Sequence, residues 1–180
     1  MRYSSWHTNG LEGDDMLQRF RTLVYDLPAR LFSPLQHVIL LIMRLYWGWL
    51  FFSAGKTKLA NIEGIVTYFE ELKIPAPAFN AYFVSSLEMV GGMLLLLGLF
   101  SRLIALPLTI NMIVAYLTAD RVRVLHIFSE PEKFLAADPF FFLLVSALVL
   151  AFGPGLFALD TLIVKWLDRQ SAAPEAARAG

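Results

Sequence analysis

The apolar stretch over residues 35–59, LQHVILLIMRLYWGWLFFSAGKTKL, constrains the fold more than any other feature of the sequence. Between Val38 and Gly55 it carries one charged side chain, Arg44. The hydrocarbon of a bilayer is about 30 Å thick and takes about 20 apolar residues to cross. A helix that is apolar on every face is typical of a membrane span. The stretch therefore predicts a membrane-spanning helix over residues 35–55 with an arginine near its middle.

The composition extends this interpretation to the whole chain. Of the 180 residues, 57% are hydrophobic and 17% are charged, whereas an average soluble domain has about 25% charged residues. Lys plus Arg equals Asp plus Glu, and no basic tract is present, so nothing favours a nucleic-acid partner. The absence of cysteine excludes disulfides, thiolate metal sites and Cys nucleophiles. These features indicate a polytopic membrane protein whose partner is the lipid bilayer.

Three further apolar runs predict spans over residues 78–100, 103–119 and 136–152. Only Ser101 and Arg102 separate the second span from the third, so those two helices are predicted to be antiparallel neighbours. The predicted fold is an all-α integral membrane protein, with a bundle of four transmembrane helices over residues 34–155.

Amphipathic patterns flank the predicted spans. Apolar residues at three- and four-residue spacing predict surface helices over residues 14–33, between the first two spans, and over residues 156–169. Pro28 and Pro34 are expected to break or kink the first of these helices. Residues 1–13 and 170–180 are predicted to be disordered. A slight excess of Lys and Arg on one side favours cytoplasmic termini.

Three polar side chains interrupt the predicted spans: Arg44, Glu88 and Asn111. Counted along each helix, all three lie near the membrane midplane, where an unpaired charge costs about 2.5–3.5 kcal/mol. We therefore expect the three side chains to meet in the bundle interior. Two interpretations stay open, a structural ion pair that fixes helix register and a polar pocket that binds a ligand or handles protons.

Small residues predict which helix faces are packed. Gly48 lies one turn from Arg44, and Gly91 and Gly92 lie beside the face of Glu88. Glycine lets membrane helices approach closely, so these three positions are predicted to be helix-packing sites.

Lys56 and Lys58 end the first span, and the favoured interpretation is that they anchor it at the interface. Alternatively, Lys58 reaches back to an anionic or quinone-type head group. Asp120, His126 and Asp138 lie in or beside one connection and could shuttle protons or bind a metal. Solvated loop residues are the favoured interpretation there, and no metal site is predicted.

Several segments resemble the DoxX family of four-helix bacterial membrane proteins: MRLYWGWLFFSAGKTKL, the run that begins IPAPAFNAYFVSSLEMVGG and continues through LGLFSRLIALPLTINMIVA, and FGPGLFALDTLI. The resemblance covers residues 35–162. It implies similarity to the DoxD-type subunit of a thiosulfate:quinone oxidoreductase, and to members linked to a membrane-associated oxidoreductase complex. The matching family positions are Lys58, Glu88, Gly91, Gly92, Arg102 and Asn111.

The resemblance implies a membrane subunit of a quinone-linked redox system in the bacterial inner membrane, with a redox partner protein. Under this hypothesis Glu88 and Arg44 are the catalytic pair: Glu88 manages a proton, and Arg44 either holds Glu88 ionised or binds an anionic group. Asn111 and Lys58 complete a quinone-binding pocket, and no other cofactor motif is evident. The alternative is a non-catalytic membrane scaffold or small transporter, whose Arg–Glu pair is structural.

Overall fold

The computed structural model describes residues 20–178, which are helical and contain no strand. A short π-helix, Thr22–Asp26, is followed by α1 (Leu27–Ala60), α2 (Ile62–Glu71), α3 (Pro77–Leu97), α4 (Ser101–Thr118), α5 (Arg121–Leu125), α6 (Pro131–Leu135), α7 (Pro139–Phe152) and α8 (Leu159–Arg178). The predicted disorder over residues 1–13, and the first part of the helix predicted over residues 14–33, lie outside the described residues.

The chain forms two compact units, one up to Val38 and the other from Ile39 onwards. The described part of the first unit contains the π-helix and the beginning of α1. The expected break at the prolines is wrong, because α1 runs through both Pro28 and Pro34. Pro28 directly follows the π-helix Thr22–Asp26, a local widening of the helix that accommodates a residue without a backbone N–H. All remaining helices belong to the second unit.

Within residues 20–178, three helical segments are long and apolar enough to cross a membrane: Pro34–Ala60, Pro77–Leu97 and Ser101–Thr118. The fourth predicted span begins later than expected, since Pro139 starts α7 and residues 131–135 form the separate helix α6. The 14 residues of α7 give a length of about 21 Å, less than the hydrocarbon thickness of about 30 Å. The all-α prediction is confirmed for the described residues, and the fourth crossing stays a prediction.

Glycines bring α1 and α3 into backbone contact. A Cβ added at Gly48 would lie 3.1 Å from the Gly92 carbonyl oxygen, and one added at Gly55 would lie 2.6 Å from the Ser85 carbonyl oxygen. Gly48 lies beside Gly92, and the later residue Gly55 lies beside the earlier residue Ser85. The two helices are therefore antiparallel. Gly91 instead faces α4, where an added Cβ would lie 3.1 Å from the methyl carbons of Leu108.

The hydrophobic core lies where α4 and α7 pack together and against α1 and α3. Its buried members are Phe51, Leu95, Ala105, Leu108, Met112, Val145 and Val149. The rings of Phe51 and Phe142 meet edge to face, with centroids 4.5 Å apart. Large apolar side chains such as Phe79 and Leu103 are about 70% exposed on the outside of the spans, as expected of a surface that faces lipid.

Arg44 ties α1 to the segment that follows α7. Its guanidinium Nη1 donates a hydrogen bond to the Pro154 carbonyl oxygen at 2.6 Å, and Nη2 donates to the Phe157 carbonyl oxygen at 2.8 Å. The side chain is buried and lies against Gly98, where an added Cβ would be 2.8 Å from the guanidinium carbon. Gly98 also has a φ of +68°, which favours glycine.

Asp160 fixes the same end of the bundle from α8. Its carboxylate oxygens accept hydrogen bonds from the backbone N–H groups of Phe100 and Ser101, at 2.7 and 2.8 Å. Its own N–H donates to the Gly98 carbonyl oxygen at 2.9 Å. Asp160 therefore caps α4 in place of a local side chain, because the preceding residue Phe100 supplies none. Arg44 and Asp160 together join α1, the α3–α4 turn and α8.

The C-terminal helix is longer than predicted. α8 continues to Arg178, so residues 170–178, predicted to be disordered, are helical. The segment SAAPEAAR is rich in alanine, the strongest helix former, and this preference outweighs the single proline. Residues 179 and 180 lie outside the described residues.

We expect Gly92→Ala to destabilise the protein more than Gly91→Ala. A methyl at Gly92 meets the backbone of Phe52 and Gly48, which cannot move without separating α1 from α3, whereas one at Gly91 meets the flexible end of Leu108. Overpacking of this kind costs about 1–3 kcal/mol. Thermal unfolding in detergent micelles measures the difference, and equal melting temperatures for the two variants would contradict the proposed contact.

We expect Arg44→Gln to loosen the segments that Arg44 holds. The Pro154 and Phe157 carbonyl groups lose the donor that joins them to α1, and a hydrogen bond to a charged group contributes about 1.5–3 kcal/mol. Hydrogen exchange should rise around residues 98–101 and 153–160, while Arg121→Gln, which removes an exposed charge on α5, leaves exchange there unchanged. Unaltered exchange in both segments of the Arg44 variant would refute this role.

Candidate functional site

Glu88 is the centre of a buried polar site in the half of the bundle away from Arg44. Its two carboxylate oxygens accept hydrogen bonds from Lys58 Nζ at 2.7 and 2.6 Å. Asn111 Nδ2 donates to Oε1 at 3.1 Å. The side chain of Glu88 is 3% exposed and that of Lys58 is 34% exposed. The carboxylate is thus enclosed, while the ammonium group that neutralises it remains open to its surroundings.

The direction of helical side chains explains why Lys58 meets Glu88. In an α-helix the Cα–Cβ bonds tilt towards the N-terminus. Lys58 lies near the C-terminal end of α1, so its long side chain points back into the bundle. Because α3 is antiparallel to α1, Glu88 tilts towards that same end. The two side chains therefore converge.

The same geometry separates Arg44 from this site, so the expected Arg44–Glu88 pair is wrong. Arg44 tilts towards the N-terminal end of α1 and binds the Pro154 and Phe157 carbonyl groups there. Arg44 and Lys58 are 14 residues apart on α1, a rise of about 21 Å. A count of residues from Pro34 predicts that Arg44 lies at the membrane midplane. The helix α1 instead runs from Leu27 to Ala60, so it begins well before Pro34 and ends beyond the predicted span. The expected contact of Glu88 with Asn111 is present.

Two cavities meet at the Lys58–Glu88 pair. The first has a volume of about 170 Å³ and is mostly apolar, in the manner of small-molecule sites. It lies between α2, α3 and α4, and α2 supplies its aromatic wall. Its lining includes Lys58, Glu88 and Asn111 together with Ile65, Tyr68, Phe69, Leu72, Ile74, Asn80, Val84, Val114, Ala115, Thr118 and Ala119.

The second cavity has a volume of about 320 Å³, at the lower end of the range of roughly 300–1,000 Å³ for ligand pockets. It shares Lys58, Glu88 and Ala115 with the first, and it adds α7 and the residue before it. Asp138 lines this cavity and is exposed. The second cavity therefore runs from an exposed carboxylate to the buried one.

The other polar candidates of the sequence do not assemble into a metal site. Asp120 forms an ion pair with Arg123 at 2.8 Å, and His126 Nδ1 lies 2.9 Å from the Val122 carbonyl oxygen of its own helix. Within residues 20–178, no three of His, Asp and Glu come close enough together to hold a metal ion. Lys56 is exposed.

The structure adds three features that the sequence reasoning missed. Lys58 is the partner of Glu88, the face of α2 closes one cavity, and Asp138 enters the other. The tilt of side chains in antiparallel helices is a signal that could have found the first feature. The amphipathic stripe of Ile65, Phe69 and Leu72 indicated that α2 covers something apolar.

The similarity to known proteins includes the region that holds this site. A family model described as DoxX matches residues 39–121, the segment that contains Lys58, Glu88 and Asn111. The chain is 29% identical over 117 residues to a protein of Bacillus subtilis (strain 168) named "Putative oxidoreductase CatD", across 57% of this chain and 86% of that protein.

A second relative is "Uncharacterized membrane protein Rv3486" of Mycobacterium tuberculosis (strain ATCC 25618 / H37Rv). It is 33% identical over 135 residues, which cover 68% of this chain and 80% of that protein. No solved structure matches this chain. The family match, the two relatives and the apolar helices agree. The chain belongs to the DoxX family of membrane proteins.

Proposed function

We propose that this protein is a membrane subunit of a quinone-linked redox system, and that the Lys58–Glu88–Asn111 site binds the quinone head group. One observation carries the proposal: a buried carboxylate, held by a lysine and an amide, opens on two cavities inside an apolar bundle. Burying such a charge in a membrane helix is costly and usually marks a functional site. The relative named as an oxidoreductase agrees with this chemistry.

The donors at the site suit a quinone carbonyl. An ammonium group has three N–H donors and an amide has two, and Glu88 accepts two from Lys58 and one from Asn111. One N–H on each side chain is therefore left for a ligand. The apolar wall formed by Tyr68, Phe69 and Leu72 suits the ring and the start of an isoprenoid tail.

Reduction of a quinone to a quinol consumes two electrons and two protons. We propose that a reducing partner protein supplies the electrons. Lys58 donates one proton to the carbonyl oxygen that it binds, and Glu88 stabilises the ammonium form when the lysine is reprotonated. The second proton reaches the other carbonyl oxygen from the aqueous side. Asp138, exposed at the other end of the second cavity, supplies protons from the aqueous side. Arg44 has no part in this scheme.

The second candidate is a non-catalytic membrane scaffold or small transporter. It is favoured by the completeness of the Lys58–Glu88 pair, since both carboxylate oxygens are bound without any ligand. In that case the pair locks α1 to α3. Removing one partner of such a pair costs about 3–5 kcal/mol, because it leaves a buried charge alone.

We expect Ala115→Leu to weaken quinone binding without unfolding the protein. Ala115 lines both cavities, so a larger side chain fills them and leaves the charges untouched. The control is Leu117→Phe, an exposed position on the same helix. Binding of a short-chain quinone to purified protein in lipid nanodiscs, followed by tryptophan fluorescence, should weaken at least about tenfold for Ala115→Leu, or about 1.4 kcal/mol.

Glu88→Gln then separates the two candidate functions. The redox proposal predicts that the Glu88→Gln protein that does fold binds quinone more weakly than the unaltered protein, whatever the change in its melting temperature. Absence of quinone binding by the unaltered protein, together with a loss of folded Glu88→Gln protein, would favour the scaffold.

We further propose that the protein crosses the bacterial inner membrane four times and has both termini in the cytoplasm. This topology requires that α7 crosses the membrane, although α7 is shorter than the other candidate spans. Its apolar character and the slight excess of basic residues on the terminal side support this arrangement. A phosphatase fused after residue 178, which is active only outside the cytoplasm, should be inactive, and an active fusion would contradict the proposal.

A further inference from the structure

A groove at the opposite end of the bundle from the Lys58–Glu88 pair has no part in the proposed redox role. It is open, has a volume of about 480 Å³, and lies between the α3–α4 turn, the segment after α7 and the first turns of α8. Arg102 lines one side and Lys165 lines the other. The groove thus presents two cationic side chains from distant parts of the sequence.

Among the side chains that the structure describes, neither cation has an acidic partner: no carboxylate oxygen of residues 20–170 lies within ion-pair distance of Arg102 or Lys165. The one acidic residue of the groove, Asp160, accepts hydrogen bonds from the Phe100 and Ser101 N–H groups at 2.7 and 2.8 Å. Asp160 thus caps α4, and the two cations outnumber this one carboxylate in the lining of the groove.

The Arg102 guanidinium is also positioned by the fold. A Cβ added at Gly153 would lie 3.2 Å from its Nε and 3.3 Å from its Nη2. Gly153 has a φ of +80°, a conformation that favours glycine and leaves room for the guanidinium group. The arginine therefore lies along the backbone turn that ends α7.

The groove lies at the level of a lipid head group. Arg102 is the second residue of α4, and α3 ends just before the same turn, so the groove lies at the end of two candidate spans. Beside the cations, Leu103 is 70% exposed, Phe100 61% and Val164 55%. Positive charge at the interface next to exposed apolar surface is complementary to a lipid with an anionic head group and acyl chains.

We propose that this groove binds an anionic phospholipid. The phosphodiester lies between Arg102 and Lys165, and the acyl chains run along Leu103 and Val164. The site is independent of the quinone proposal, because the two sites share no residue. A lipid bound there contacts Asp160 and Pro154, so it stabilises the junction that Arg44 and Asp160 form.

The test uses the full chain, purified in a neutral detergent and titrated with phosphatidylglycerol in mixed micelles, with bound lipids counted by native mass spectrometry. The unaltered protein should retain one phosphatidylglycerol, and Arg102→Gln/Lys165→Gln should weaken its binding by about tenfold or more. The matched control, Lys56→Gln/Arg121→Gln, removes two exposed charges elsewhere and should bind as the unaltered protein does.

Three results would overturn the proposal. They are equal binding of phosphatidylcholine, unchanged binding by the Arg102/Lys165 variant, and complete competition by glycerol 3-phosphate, which would identify a soluble phosphate ligand. Lys165→Gln alone, at an exposed position on α8, serves if the double variant folds poorly. This single variant should also bind phosphatidylglycerol more weakly than the unaltered protein does. Unchanged binding of phosphatidylglycerol by Lys165→Gln would contradict the proposed site.

Discussion

The backbone contact between α1 and α3 is the constraint on which the rest of the structure depends. Gly48, Gly55 and Gly92 allow the two helices to touch, and their spacing fixes an antiparallel register. That register brings Lys58 to the level of Glu88 and Arg44 to the level of the α3–α4 turn. The placement of every intramembrane charge therefore follows from helix packing and from the direction in which helical side chains tilt.

The two ends of the bundle then differ in character. At one end, Arg44 and Asp160 bind backbone groups of the neighbouring turns and hold three segments together. At the other end, the Lys58–Glu88 pair opens on two cavities, and the Lys58 side chain is 34% exposed.

Much of the fold could be predicted from sequence, because apolar length and periodicity report directly on spans and surface helices. The inward position of Glu88 could also be predicted from the sequence, because the glycines beside it indicate a packed helix face. The predicted Arg44–Glu88 pair is wrong because the depth of a residue along a helix does not determine the direction of its side chain. Asp138 could not be placed, since its position depends on how the connection between α4 and α7 folds back on the bundle.

The central claim is that the Lys58–Glu88–Asn111 site holds a quinone head group. Photolabelling of the membrane-embedded protein with an azido-quinone, followed by mass spectrometry of the peptides, tests it most directly. The account predicts labels in α2 and near Asn111 on α4, lost when unmodified quinone is added. Labels confined to the outer, lipid-facing surface, or labels that excess quinone does not remove, would contradict it.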